Sequence, residues 1–103
     1  MRIGEIVTAY MKHRKMQVPN NIEALMFLVS EVGELNDAVV SQMSDKWVRN
    51  HPDKKDGGAA WVNDEVGDVL MMLTAFCNTV GIDPLDCMME KFEKKGFDTS
   101  EIE

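Results

Sequence analysis

Apolar residues recur at intervals of three and four along most of this chain. From Ile3 to about Lys15 they are Ile3, Ile6, Val7, Tyr10 and Met11, which predicts a first amphipathic helix. The segment Gln17-Val-Pro-Asn-Asn21 then supplies a breaker in Pro19 and an N-cap in Asn20 or Asn21, with Glu23 placed to favour the turn that follows. A second helix is expected from near Asn21 to about Met43. Its apolar positions Ile22, Leu25, Met26, Leu28, Val29, Val32, Leu35, Ala38 and Val39 cover a wider arc than one packing partner requires.

Between Ser44 and Gly58 the chain is polar, contains Pro52 and ends in a glycine pair, which reads as a loop. Helical spacing resumes from Ala59 to Val80, and from Val69 onward the helix is apolar nearly all round, so several neighbours must enclose it. Gly81 suits a helix C-terminus, and Asp83 followed by Pro84 supplies an N-cap and first-turn proline for a fourth helix to about Lys95, ended by Gly96. The tail from Phe97 to Glu103 reads as frayed. Four helices and no alternating strand predict an all-α four-helix bundle, one domain over residues 1–103 with a loop or insertion at about 44–58, completed by a second chain.

Composition narrows the partners. Eleven basic and eighteen acidic residues give a net charge of −7, which disfavours nucleic acid and anionic membranes. Unbroken apolar runs such as Val69 to Leu73 are far below the ~20 residues of a membrane helix, and the N-terminus lacks a signal-peptide core, so a cytoplasmic protein is expected. Cys77 and Cys87 sit among apolar neighbours outside any CxxC pattern and read as buried free thiols. Met71, Met72, Met88 and Met89 read as core. His13 and His51 have no partner at metal-ligand spacing and read as surface residues.

The chemistry lies in one short pattern that occurs twice, Ser30-Glu-Val-Gly-Glu-Leu35 in the second helix and Asp64-Glu-Val-Gly-Asp-Val69 in the third. At three-residue spacing the two carboxylates of a pair lie about 60° apart round the helix and can share a ligand. An isolated pair of this kind is ordinarily a solvated face. Here Glu31 with Glu34, and Glu65 with Asp68, lie inside the most apolar helices of the chain, where a carboxylate needs a metal or a hydrogen-bonded partner. Four converging carboxylates repel by about 3 kcal/mol per pair at ~6 Å and an effective dielectric near 20, and Mg²⁺, or Mn²⁺ in its place, would relieve that repulsion. Gly33 and Gly67 each cost about 1 kcal/mol relative to alanine in mid-helix, which implies either close helix approach or space kept beside the carboxylates.

These motifs, with Leu28-Val-Ser-Glu-Val-Gly-Glu-Leu35, Asp64-Glu-Val-Gly-Asp-Val-Leu70 and Glu90-Lys91, make the chain resemble the MazG-like all-α nucleotide pyrophosphohydrolases, whose signature is an ExxE pair on one helix and an ExxD pair on the next. The resemblance covers most of the chain from about Asn21. It implies magnesium-dependent cleavage of a ribo- or deoxyribonucleoside triphosphate to the monophosphate and pyrophosphate, in nucleotide-pool housekeeping, by a homodimer or homotetramer. It implies Glu31, Glu34, Glu65 and Asp68 as metal ligands, with Glu34 also orienting or deprotonating the attacking water, and Lys91, with Lys94 behind it, as phosphate contacts. Two departures stand out: Ser30 occupies a position where many relatives carry a further glutamate, and the segment between the motifs is longer than the family commonly uses.

Trp47 and Trp61 flank that segment and are candidates to stack on a nucleobase, against the alternative of core or interface packing. The basic run Lys12-His-Arg-Lys15 reads as a solvated helix end that suits the helix dipole. No G-x-x-x-x-G-K-[ST] phosphate loop is present, so phosphate binding must run through metal. The competing reading is a non-catalytic helical partner-binding module whose acidic cluster holds a structural ion.

Overall fold

The computed structural model describes residues 2–40 and 58–102. Trp47, His51, the expected end of the second helix at Met43 and the polar segment up to residue 57 lie outside them. The described residues form four α-helices, α1 (Ile3–His13), α2 (Asn21–Val40), α3 (Gly58–Val80) and α4 (Pro84–Lys94), followed by a 3₁₀ turn at Thr99–Ile102, with no strand among them. Gly58, read as the end of the loop, is the first residue of α3. None of the single helices described is long and apolar enough to cross a membrane, although α3 and α4 together, bent by 84°, meet that test by length and composition.

The helix ends follow from local chemistry. Asn20 caps α2: its Oδ1 accepts from the Glu23 N–H at 2.8 Å while the Glu23 carboxylate accepts from the Asn20 N–H at 3.0 Å, a reciprocal capping box. Asp83 caps α4 through the N–H groups of Leu85 and Asp86, and Arg2 ties the start of α1 to this corner by pairing with Asp83 at 3.6 Å and with Asp86. Three helices close with the same paired bonds, in which the residue after the helix turns left-handed. At the ends of α3 and α4 that residue is glycine, Gly81 (φ +73°) and Gly96 (φ +80°).

At the end of α1 it is Lys15, at φ +56°, with the Lys15 and Met16 N–H groups returning to Lys12 and Met11. A side chain in that conformation costs about 1 kcal/mol that glycine does not incur. Lys15→Gly is therefore expected to stabilise the chain by about 0.5–1 kcal/mol in thermal or urea unfolding, and no gain would mean that this turn is already relaxed in solution.

Packing centres on α3. Val7 and Met11 of α1 bury against Met72 and Ala75 of α3, with Leu28 of α2 and Met71 packed alongside. The α1–α3 crossing is close because Gly4 lacks a side chain: a Cβ there would lie 2.3 Å from the Asn78 amide oxygen, and Asn78 donates to the Gly4 carbonyl at 3.1 Å. Met72, Thr74, Ala75 and Cys77 are all buried, in keeping with an enclosed second half of α3.

Two expectations fail at and after α4. The helix turns away from α3 at 84° and buries none of its residues, so the four helices do not close into one bundle within the chain. Cys87, Met88 and Met89, expected in the core, are consequently exposed, whereas Cys77 is buried, with burial pushing its thiol pKa up. The segment after Gly96 is also ordered more than its composition suggests. The Phe97 N–H returns to the Phe92 carbonyl and the two rings meet edge to face at 6.0 Å, the apolar contact that accompanies this kind of helix end.

Candidate metal centre

The acidic motifs occupy seam positions. On α2 the least exposed residues are Ala24, Leu28, Glu31, Leu35 and Ala38, spaced four and three apart, so Glu31 stands where an ordinary helix pair would place a leucine. On α3 the corresponding line is Trp61, Glu65, Asp68, Met72 and Ala75. Leu28 packs toward Met72 and Ala75 while Glu31 meets Glu65 and Asp68, so the two helices run antiparallel and bring their motifs to the same level.

Glu31, Glu65 and Asp68 converge so that one carboxylate oxygen from each lies within 4.8 Å of the others. Glu65 is only 8% exposed. One of its oxygens accepts from the Trp61 indole N–H at 3.1 Å. Its other oxygen, and one oxygen of Glu31, are buried with no hydrogen-bond partner among the described residues. A buried, unpaired carboxylate oxygen is costly, and a bound cation or a retained proton would relieve that cost.

The electrostatics agree with the geometry. Burial is the largest influence on all three groups and holds each carboxyl above its ordinary range. Glu31 is pushed up to about 7 by burial, then by a hydrogen bond with the Glu34 carboxyl, then by the charges of Glu34, Asp68 and Glu65. For Asp68 the further contributions are the charges of Asp64 and Glu34. Glu65 rises less freely because the Trp61 hydrogen bond favours its ionised form, while Glu34, Asp68 and Asp64 oppose it. Every charge among the described residues that acts on these groups is acidic.

The expected ligand set thus separates into three converging groups and Glu34, which is exposed and sits one step outside, hydrogen-bonded to Glu31. Trp61 is half-buried and holds Glu65 through its N–H, a role legible afterwards in its four-residue spacing from Glu65. Lys91 and Lys94 are exposed on α4, with the Lys94 ammonium 3.7 Å from Glu90. Asp68 and the C-terminus of α3, beyond which α4 begins, are about 18 Å apart along the helix at 1.5 Å per residue. Three contributors escaped the motif reading. Asp64, adjoining Glu65, adds negative charge to the site. Tyr10 and Asn63 line, with Asp64, Gly67, Asp68 and Met71, a cleft of about 390 Å³ between α1 and α3 that opens beside Asp68.

The glycines of the motifs leave room. A Cβ built on Gly33 or Gly67 would meet nothing within 4 Å, so close approach by other helices of the described chain does not explain either one. Gly67 borders the cleft, where its bare backbone keeps the approach to Asp68 wide. Gly67→Ala is expected to stabilise the chain by about 0.5–1 kcal/mol, as alanine does in a helix interior. Urea unfolding checks this, and a loss of stability would mean that the backbone at this position needs the freedom of glycine. Comparison of the chain with family models, with curated proteins and with solved structures found no match.

Proposed function

We propose that this chain is a magnesium-dependent nucleoside triphosphate pyrophosphohydrolase, adding water across the bond between the α- and β-phosphates to release a monophosphate and pyrophosphate. The observation that carries this reading is the meeting of Glu31, Glu65 and Asp68 from two helices, with two of their buried oxygens unpartnered among the described residues. The donor set suits a hard cation: all ligands are carboxylate oxygens, and Mg²⁺ takes few protein ligands and fills its octahedron with water and substrate phosphate. The oxygens need only small rotamer changes to reach the ~3–4 Å separations of an octahedron with bonds of ~2.1 Å.

When bound, Mg²⁺ or Mn²⁺ would supply Lewis-acid polarisation of phosphoryl oxygens and lower the pKa of an attacking water. The remaining work falls to the chain. Trp61 fixes the orientation of Glu65 through its indole N–H. Glu34, exposed and linked to Glu31, would accept the proton of the attacking water at its carboxylate. The cleft beside Asp68 offers the Tyr10 ring and the Asn63 amide to the nucleoside. With metal as the contact for phosphate, a chain of net charge −7 can still take a polyanion.

Purified protein incubated with Mg²⁺ and a panel of ribo- and deoxyribonucleoside triphosphates should yield equal amounts of pyrophosphate and monophosphate from at least one of them, and none in excess chelator. Metal uptake without turnover of any triphosphate would overturn the catalytic reading and leave a structural ion in a helical binding module.

A further inference from the structure

The C-terminal end of α4 carries an apolar groove with an acidic edge, and we infer that it docks a partner protein through a segment in which an arginine stands beside apolar residues. Leu85, Met88, Met89 and Phe92 recur at spacings of three and four along α4, are between 38% and 51% exposed, and are buried by no described helix. Past the helix end this row runs into a groove of about 440 Å³ lined by Met89, Glu93, Gly96, Phe97 and Asp98. The Met89 thioether and the Phe97 ring supply its apolar lining, Gly96 adds no side chain, and both charged residues are acidic. Among the described residues neither Glu93 nor Asp98 forms an ion pair. Asp98 accepts from the Ser100 N–H at 2.9 Å, which holds its carboxyl below the ordinary range and keeps it ionised.

The occupant follows from charge. Asp86 and Glu93 are seven residues apart and stand at nearly the same angle round α4, about 10 Å apart along it. The first already holds a guanidinium, that of Arg2, together with Asp83. The second holds none among the described residues, so the same edge offers a place for another. A guanidinium there can meet carboxylate oxygens with its planar fork and lie against the Phe97 ring, which a compact ammonium does less well. The opposite edge of α4 carries Lys91 and Lys95, so the occupant is oriented, its basic side toward Glu93. A free organic cation would fill the groove and leave bare the row behind it, about 10 Å from Leu85 to Phe92. An amphipathic segment covers both, and the two methionines of the row can repack round its side chains. A second copy laid antiparallel across α4 would bring the acidic start of its own helix to the groove, acid against acid. The groove stands on a helix that turns away from α3 and does not rest on the catalytic reading.

The probe is a labelled helical peptide of about 15 residues, leucine on one face and arginine along its edge, titrated with the full chain and followed by fluorescence anisotropy. The chain should bind it at least about tenfold more tightly than a peptide with glutamate in place of arginine. Glu93→Lys and Met89→Ser should each weaken binding about tenfold while circular dichroism stays helical, and if the charge reversal unfolds the chain, Glu93→Gln should still weaken it about threefold. Asp37→Lys makes the same change of charge at an exposed position of α2, near the helix end remote from α4, and should move the affinity less than about twofold. Equal weakening by Asp37→Lys and Glu93→Lys would reduce the binding to general attraction by a net charge of −7 and overturn the inference. So would no binding of the arginine peptide, equal binding of the glutamate peptide, or its displacement by free arginine amide at the peptide's own concentration. A chain whose self-association Met89→Ser abolishes would overturn it too, because a second copy then covers the face.

Discussion

Glu65→Gln is expected to lower turnover at least a hundredfold (about 2.7 kcal/mol of transition-state stabilisation) while leaving the metal-free protein as stable as the parent or more so. The two effects separate because the substitution changes charge and little else. Glutamine has the same shape, and its amide oxygen can still accept from the Trp61 indole that now holds Glu65 at 3.1 Å. What disappears is an ionised oxygen buried without a partner beside two other carboxylates, so the metal-free protein loses a repulsion along with a ligand. Asp68→Asn should behave alike. Glu34→Gln should differ, since Glu34 stands outside the converging triad: turnover falls further than Mg²⁺ affinity does. Kinetics and thermal unfolding in chelator, run on all three variants, would show it. A Glu65→Gln protein that is clearly less stable without metal, yet still turns over, would mean that this carboxylate is a structural hydrogen-bonding group.

The second large effect is a stability of the metal-free protein that falls as pH rises. Glu31 has its carboxyl pushed from about 4.5 to about 7 in the folded chain. Between those values the native state keeps a proton that the unfolded chain has released, so the stabilisation present below pH 4.5 is lost progressively up to about pH 7. Glu65 and Asp68 are shifted in the same direction and deepen the loss. After allowance for solvent at these partly exposed positions, an effect on the order of 1–2 kcal/mol is expected. For a domain of this size that corresponds to a Tm lower by roughly 4–10 °C at about pH 8 than at about pH 5.5 in chelator. Mg²⁺ should act oppositely, because it binds ionised carboxylates and the native state alone: its stabilisation grows with pH and can reach about 2.7 kcal/mol at a hundredfold excess over Kd. A Tm in chelator that climbs over this range, or a Mg²⁺ effect equal at both ends, would contradict the assignment.

Local physics was readable from the sequence where it is carried by few residues. Asp83-Pro84 marks the start of α4, Gly81 and Gly96 mark helix ends, and Pro19 with Asn20 marks the start of α2, because each acts through its own backbone. The choice between Asn20 and Asn21 as cap depends on which side chain reaches the Glu23 N–H, and that distance is a property of the folded turn. Lys15 in a left-handed turn has no signature, since no glycine announces it. Phe97 did have one, an apolar residue directly after a terminal glycine, which the polar tail beyond it obscured.

The wide apolar arc of α2 was visible as a surplus. That it resolves into an inner row toward α3 and an outer exposed row requires the neighbour's position. The same applies to the site. Spacing put Glu31 with Glu34, and Glu65 with Asp68, on common faces. Only the antiparallel register shows that Glu31, Glu65 and Asp68 converge in the seam while Glu34 is left at its rim. The turn of α4 away from α3, which exposes Cys87, Met88 and Met89, arises from the geometry of one corner at Gly81–Asp83 and leaves no trace in hydrophobic periodicity.

The central claim is that the seam carboxylates hold a divalent cation, and calorimetric titration of the chelator-treated protein with Mg²⁺ near pH 7 tests it most directly. Saturable uptake is predicted, with protons released to buffer because Glu31 is about half protonated there, and both signals should vanish in Glu65→Gln. A parent protein that takes up no Mg²⁺, or a Glu65→Gln variant that binds it as tightly and with the same proton release, would contradict the account.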